Sequence, residues 1–356
     1  MLDARAWLLW ALTTLVTASS TRNPMYTVIL LLVTTVVGVS CVPDQGGRAP
    51  LSPLRFATLA IPLSAVFNGL TAHVGDTVLL RLPDWLPLLG GPMTLEALVF
   101  GAMNGLTLTA IFGGFAVFNQ ATPVRDLIQL TPRAFHAAGV VLSIALTFVP
   151  QTTRSLKQIR EAQAVRGHRV RGLRDWLPIV VPLLVSGLER SMGLAEAMVA
   201  RGYGATSDRT QPLRAQVGLA MGLLALLVGW LGFLLRPSWR EVAVGAILGG
   251  AGIIVGVVWL AGRDVPHTVY RRRRWNARDA LTVLGCAFTL AVFLLPLPLM
   301  DRHTLSYSPY PGLTLPAFDP LIGVGLLGLL GPAIASGGGQ ANHARSPRSI
   351  GSERDA

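Results

Sequence analysis

Charge is scarce in this chain. Only 13% of its 356 residues are Asp, Glu, Lys or Arg, about half of what soluble domains carry. Lysine is nearly missing: Lys157 is the one lysine, and the other basic residues are arginine. No Gly-rich loop ends in Gly-Lys-Ser/Thr, so there is no P-loop to cradle nucleotide phosphates. Cysteine is down to two, Cys41 and Cys286, both in apolar runs. Without the partner spacing of a zinc site or a redox pair they read as buried, inert thiols. The six histidines are scattered, so neither a metal site nor a cofactor is expected. The apolar stretches hold almost no ionisable groups, with Glu96 and Glu241 at their ends and Asn104 and Asn119 neutral. A self-contained secondary transporter or channel, the alternative reading, places such groups inside its spans. Inverted repeats of several helices are also not apparent. A membrane enzyme would want a mutually placed acid and base at a span end. The nearest cases are Arg302-His303 beside Asp301 and His73 near Asp76, and both read as ordinary loop groups.

What the chain has in quantity is apolar length. Hydrophobic residues make up 51% of it, and the mean hydropathy is +0.53. Runs at roughly 6–18, 25–42, 56–72, 95–118, 136–150, 215–235, 242–262, 279–299 and 320–336 are candidate spans, the first of them short for a bilayer crossing. The fold class expected is an all-α polytopic membrane helix bundle with further helices on the cytoplasmic side, multi-pass in the cell (plasma) membrane and in contact with membrane lipid. Gly, Ala and Thr are frequent in several runs, which suits close helix packing. The apolar run from Trp7 to Ala18 follows Asp3 and has no clear small-residue cleavage site, so it reads as a mature membrane segment.

The net charge of +12 would suggest nucleic acid in a soluble protein. Here no basic stretch interleaves with aromatic residues, and no nucleic-acid partner is expected. Basic loops held at the cytoplasmic face of a bilayer explain the charge better. Residues 151–214 carry eleven Lys/Arg against five Asp/Glu. Two spans later comes Arg263 to Arg278, with the run Arg271-Arg272-Arg273-Arg274. An even number of crossings puts both on one side, which the positive-inside rule makes cytoplasmic; the side of the N-terminus stays open. The expected layout is N-terminal membrane helices over 1–150, a cytoplasmic helical region over 151–214, C-terminal membrane helices over 215–336 and a disordered basic tail over 337–356. Trp176 to Leu188 is apolar but too short to span, and fits a helix at or re-entering the interface.

The basic region holds an internal repeat. One copy runs from Arg154-Ser155 through Glu161-Ala162 to Arg166-Gly167, the other from Arg190-Ser191 through Glu196-Ala197 to Arg201-Gly202. At 100° per residue Leu156, Ile159, Ala162, Gln163 and Arg166 share a helix face. So do Leu188, Met192, Ala195, Met198 and Val199 in the second copy. Gly167 and Gly202 stand where a helix ends in a left-handed cap, and Pro150 stands where a membrane helix would break from a surface helix. Arginine beside a glycine cap is common by itself, because it complements the helix dipole. Two matched copies, with neither arginine on the fully polar face, point further. Each arginine can lay its stem along apolar surface and extend its guanidinium into a partner.

These motifs resemble those of the transmembrane T component of energy-coupling factor transporters, the group that includes the cobalt-permease Q subunit. The matching residues are Thr21-Arg22-Asn23-Pro24 after the first apolar run, Phe148-Val149-Pro150, Ala162-Gln163-Ala164-Val165-Arg166-Gly167, the link from Leu177-Pro178 to Ser186, and Ala197-Met198-Val199-Ala200-Arg201-Gly202-Tyr203. They cover roughly residues 1–235. The resemblance implies two crossed coupling helices whose motif arginines, here Arg166 and Arg201, seat in grooves of two ATP-binding subunits. Ala162, Gln163, Gly167, Ala197, Ala200 and Gly202 would line the same contact, most of them as small residues that permit close approach. It also implies a non-catalytic subunit that grips a small substrate-capture membrane protein importing a vitamin or a transition-metal ion. About 120 residues follow where members of the group usually end. They are either an added scaffold or part of a fused capture component.

Overall fold

The computed structural model describes residues 2–41, 52–83, 90–132, 135–168, 172–203, 213–235, 239–263, 275–295 and 300–336. The tail over 337–356 and the run Arg271 to Arg274 lie outside them. Eleven α-helices account for nearly all of the regular structure among the described residues. Their starts follow local chemistry. Asp3 accepts from the Arg5 amide and begins α1 (Ala4–Ser20). Ser52 accepts from the Arg55 amide ahead of Pro53 and begins α3 (Pro53–Thr71). Thr94 accepts from the Ala97 amide and begins α4 (Leu95–Ala121). A side-chain oxygen at the cap satisfies an amide that the helix leaves unpaired, and proline in the first turn has no amide to satisfy.

The chain divides into two compact units, Met1–Pro123 with Arg271–Ala356, and Val124–Tyr270. In the first, α1, α2 (Pro24–Cys41), α4, α10 (Ala277–Leu294) and the last helical segment share one core. Trp10, Tyr26, Leu30, Val37, Ala110, Phe293, Ile322, Leu326 and Leu329 are buried in it. The last segment is α11 (Pro320–Leu327) continued by a 3-10 turn at Gly328–Leu330 and a further turn to Ser336. Glycines let these backbones approach: a Cβ on Gly105 would come within 2.8 Å of the Ile61 Cα on α3, and one on Gly114 within 2.8 Å of the Thr14 hydroxyl on α1. Between α3 and α4 stands an element without a clear sequence signal, a two-stranded antiparallel hairpin of β1 (Val78–Leu82) and β2 (Gly91–Thr94). Glu96, buried at the start of α4, ties the loop before it down by accepting from the Thr77 hydroxyl at 2.7 Å and the Thr77 amide at 3.1 Å.

Hydrogen bonds fix which ends of the first unit lie together. The Asp3 amide donates to the Asp279 carboxylate at 2.8 Å, so α1 and α10 begin at one end. The α1–α2 turn sits at the other, against residues 304–317. At the first end again, the Cys41 thiol meets the Ser336 hydroxyl at 3.6 Å. Contacts of Thr34 with Gly113 and Gly38 with Val117 run α2 and α4 in the same direction, so α4 also finishes at the first end.

The second unit holds α5 (Val124–Ile128), α6 (His136–Val165), α7 (Leu177–Ala200), α8 (Leu213–Leu235) and α9 (Arg240–Arg263). Helices α8 and α9 form a hairpin closed by Gly222, Gly229 and Gly250, where backbone meets backbone. Among the described residues, seven helices are long and apolar enough to cross a membrane: α2, α3, α4, α8, α9, α10 and the stretch Arg174–Ala200 that contains α7. At 17 residues each, α1 and the Pro320–Ser336 segment fall just short of that length.

Two expectations change. The 136–150 run is not a separate span broken off at Pro150, because α6 is one 30-residue helix from His136 to Val165 with Pro150 inside it. Its second half carries Arg154, Lys157, Arg160 and Glu161, which a bilayer core would not accept. The apolar part alone covers only about 22 Å at 1.5 Å per residue, against a core of about 30 Å. Likewise, Trp176 to Leu188 does not stand alone as a piece too short to span. Trp176 ends a 3-10 turn, and Leu177 to Leu188 are the first half of α7, which runs through Pro182 into the second repeat copy.

Candidate functional site

The two repeat copies form the C-terminal halves of α6 and α7, and both end in the same way. The His168 amide donates to the Gln163 carbonyl and the Gly167 amide to the Ala164 carbonyl, both at 2.9 Å. In the second copy the Tyr203 amide donates to the Met198 carbonyl at 3.0 Å and the Gly202 amide to the Val199 carbonyl at 2.8 Å. This is the paired closure that satisfies the last carbonyls of a helix, and it requires a left-handed residue after the cap. Gly167 has φ 80° and Gly202 φ 77°. In each copy the arginine is the cap residue itself, so its side chain leaves the helix where the helix stops.

Both ends are open. Ala162, Arg166, Gly167, Ala197, Ala200, Arg201 and Gly202 are exposed, Gln163 is half-buried, and a Cβ on either glycine would meet no described residue within 4 Å. Apolar neighbours are exposed as well: Val165 is 90% and Val199 72% accessible, with Met192 at 63%. Small residues next to an exposed cation, ringed by uncovered aliphatic side chains, make the composition of an interface core. The expected shared faces are only partly filled. Leu156, Ile159 and Gln163 are half-buried toward α7, whereas Leu188, Met192 and Val199 are not covered within this unit.

Cross-contacts run α6 and α7 in opposite directions. Near the end of α6 the Gln163 amide donates to the Pro178 carbonyl at the start of α7, 3.4 Å away. The turn between them is held by His168 Nε2 against the Asp175 carbonyl at 2.7 Å. Further back, Arg190 Nη2 donates to the Ser155 hydroxyl at 3.2 Å, and the same guanidinium lies 5.9 Å from the Phe148 ring centroid. Arg166 therefore stands beside the start of α7 and Arg201 at its far end, about 36 Å of helix away at 1.5 Å per residue. No single groove can take both arginines.

The Thr21-Arg22-Asn23-Pro24 turn belongs to the other unit, where the last part of the chain encloses it. The Thr21 hydroxyl donates to the Leu305 carbonyl at 3.1 Å, and Asn23 Nδ2 donates to the Thr304 and Ala317 carbonyls, both at 2.7 Å. Thr21 and Asn23 are buried. Its role is structural, and the acceptors lie some 280 residues away, where no sequence pattern marks them.

The family model described as CbiQ, cobalt transport protein, matches residues 1–212 and stops at the residue before α8. A protein of Bacillus selenitireducens named energy-coupling factor transporter transmembrane protein EcfT is 29% identical over 238 residues, 61% of this chain and 84% of that protein. The protein of the same name from Thermanaerovibrio acidaminovorans is 34% identical over 161 residues, 40% of this chain and 60% of its own length. That from Exiguobacterium sibiricum is 36% identical over 124 residues, 31% and 47%.

Proposed function

Because this chain belongs to the cobalt transport protein family of the CbiQ model, we propose that it is the transmembrane coupling subunit of an energy-coupling factor importer, in which two ATP-binding subunits drive a separate substrate-capture membrane protein. The observation that carries this reading is the matched pair of exposed Arg-Gly helix ends at opposite ends of an antiparallel helix pair. Two like anchors facing apart suit two like partners. The absence of a P-loop from the sequence fits a subunit that leaves ATP chemistry to other chains. Arg166 and Arg201 are the anchors, and Ala162, Gln163, Gly167, Ala197, Ala200 and Gly202 form the surface that the partners approach. Closure of the ATP-binding pair moves the anchors, and the movement passes through α6 and α7 toward the capture protein. The capture protein chooses the cargo, a vitamin or a transition-metal ion.

Affinity purification of the full chain in mild detergent tests the proposal. The wild type brings down an ATPase pair, and Arg166→Glu with Arg201→Glu together releases it while the melting temperature of the membrane part holds. Truncating a central interface arginine costs about 2 kcal/mol or more, and charge reversal costs more. A wild-type chain that retains no ATPase, or a double variant that still retains it, overturns the reading.

A further inference from the structure

The repeat is more than two anchors, because its two copies also touch each other. The contact joins their matching Arg-Ser dipeptides: Arg190, of Arg190-Ser191, donates to Ser155, of Arg154-Ser155. Ser155 lies eleven residues before Arg166, and Arg190 eleven residues before Arg201. At 1.5 Å per residue both arms are about 16 Å long, and they leave the contact in opposite directions. The contact therefore sits midway between the two anchors.

Arg190 also bridges a weak point. Phe148 and Ser155 are seven residues apart, two turns along one face of α6, and Pro150 lies between them inside the helix. Proline within a helix removes one backbone hydrogen bond and crowds the carbonyl four residues earlier, which makes it the usual place for a bend. The guanidinium holds one residue on each side of Pro150, Phe148 through the ring face and Ser155 through the hydroxyl. A planar cation with several donors can do both at once, and an ammonium can do either singly.

We propose that Arg190 is the fulcrum of a two-armed lever, a positioning residue that pins α7 to α6 and splints α6 across Pro150, so that displacement of the two anchors is transmitted as one motion. This rests on the coupling function proposed above. Without the pin each anchor still seats in its ATP-binding subunit, but the arms move independently and α6 bends at Pro150.

The test uses the full complex purified through this chain in lipid nanodiscs, with spin labels on Cys substituted at Lys157 and Glu196 and with Cys41 and Cys286 replaced by Ser. ATP hydrolysis and the distance between the labels, with and without ATP plus vanadate, are read together. In the wild type the distance shifts on trapping. Arg190→Ala keeps its ATPase subunits and hydrolyses ATP within about twofold of wild type, but the nucleotide-driven shift falls by at least half and its distribution broadens. Arg190→Lys recovers part of the shift, and Phe148→Leu loses part. An Arg190→Ala complex with a wild-type shift overturns the fulcrum. So does one that loses its ATPase subunits, because Arg190 would then serve anchoring or folding. A wild-type complex without ATPase overturns the coupling function itself, which is a different result.

Discussion

Trp10, in the first helix, donates its indole Nε1–H to the main-chain carbonyl of Leu329 at 2.9 Å. Both residues are buried, and 319 positions separate them. The bond decides part of what the residues after the family match are. The final helices α10 and α11 are not an appended module but half of the bundle whose other half is α1, α2 and α4. Trp10→Phe keeps an aromatic ring but removes the indole donor from this buried carbonyl. The expected loss is about 1–3 kcal/mol. It is read as a lower melting temperature of the purified chain in detergent, with ATPase retention unchanged.

Asn23 gives a sharper case, because one side chain serves three backbone groups. Its Nδ2 donates to the Thr304 and Ala317 carbonyls, and its Oδ1 accepts from the Met25 amide at 3.0 Å. Aspartate in its place keeps the acceptor but turns a carboxylate oxygen toward two carbonyls inside the protein. Asn23→Asp is therefore expected to destabilise more than Asn23→Ala, the reverse of the order that shape alone predicts. An uncompensated buried charge is the costlier fault. Melting curves of the two variants side by side decide it.

Glu96 holds the hairpin of β1 and β2 through the Thr77 hydroxyl and amide. A Cβ at Gly75, where φ is 140°, would meet the Glu96 carboxylate, so the loop backbone lies directly on it. Glu96→Ala is expected to free residues 72–94 while the helix core persists. Limited proteolysis of the reconstituted chain should then cut within this segment faster than in wild type, and Glu96→Gln should fall between the two. Equal cutting in all three would remove Glu96 from this role.

Much of the site was legible in the sequence because it is local. A glycine after an arginine at a helix end predicts a left-handed cap, and φ near +80° at both Gly167 and Gly202 follows from residues within one turn. Helix starts at Asp3, Ser52 and Thr94 are local in the same sense. What misled was proline. Pro150 read as a break, yet it lies inside a continuous helix. A lost backbone bond does not end a helix when side chains on either side are held by a neighbour, as Phe148 and Ser155 are by Arg190. The enclosure of the Thr21-to-Pro24 turn was illegible for a different reason. Its acceptors at Thr304, Leu305 and Ala317 are main-chain carbonyls, which every residue has.

The glycine caps allow a test of the repeat's equivalence. Among the described residues, no neighbour lies within 4 Å of a Cβ built at Gly167 or Gly202. Alanine there meets only the backbone strain of the left-handed region, about 1–2 kcal/mol. Gly167→Ala and Gly202→Ala should therefore fray their helix ends by similar amounts and weaken ATPase retention to similar degrees. Hydrogen exchange at residues 162–168 and 197–203 measures the fraying. A loss at one end only would show that the two anchors contribute unequally.

Two other glycines, in different helices, separate packing from conformation. A Cβ on Gly285 in α10 would run into the Gly328 carbonyl oxygen, and one on Gly328 would lie 2.6 Å from the Gly285 carbonyl oxygen. The two backbones touch there, and the single Thr289 hydroxyl proton is shared between the Gly285 and Gly325 carbonyls, at 3.0 and 2.8 Å, across the same contact. Gly249 in α9 has an ordinary helical backbone and nothing within 4 Å. Alanine is the better helix former by about 1 kcal/mol at either site. At Gly249 that gain stands alone, so Gly249→Ala should leave the melting temperature unchanged or raise it. At Gly285 it is set against forcing two helices apart, where overpacking typically costs about 1–3 kcal/mol, so Gly285→Ala should lower it. If both variants melt alike, the close contact between α10 and the last helical segment is not what holds the C-terminal helices in the bundle.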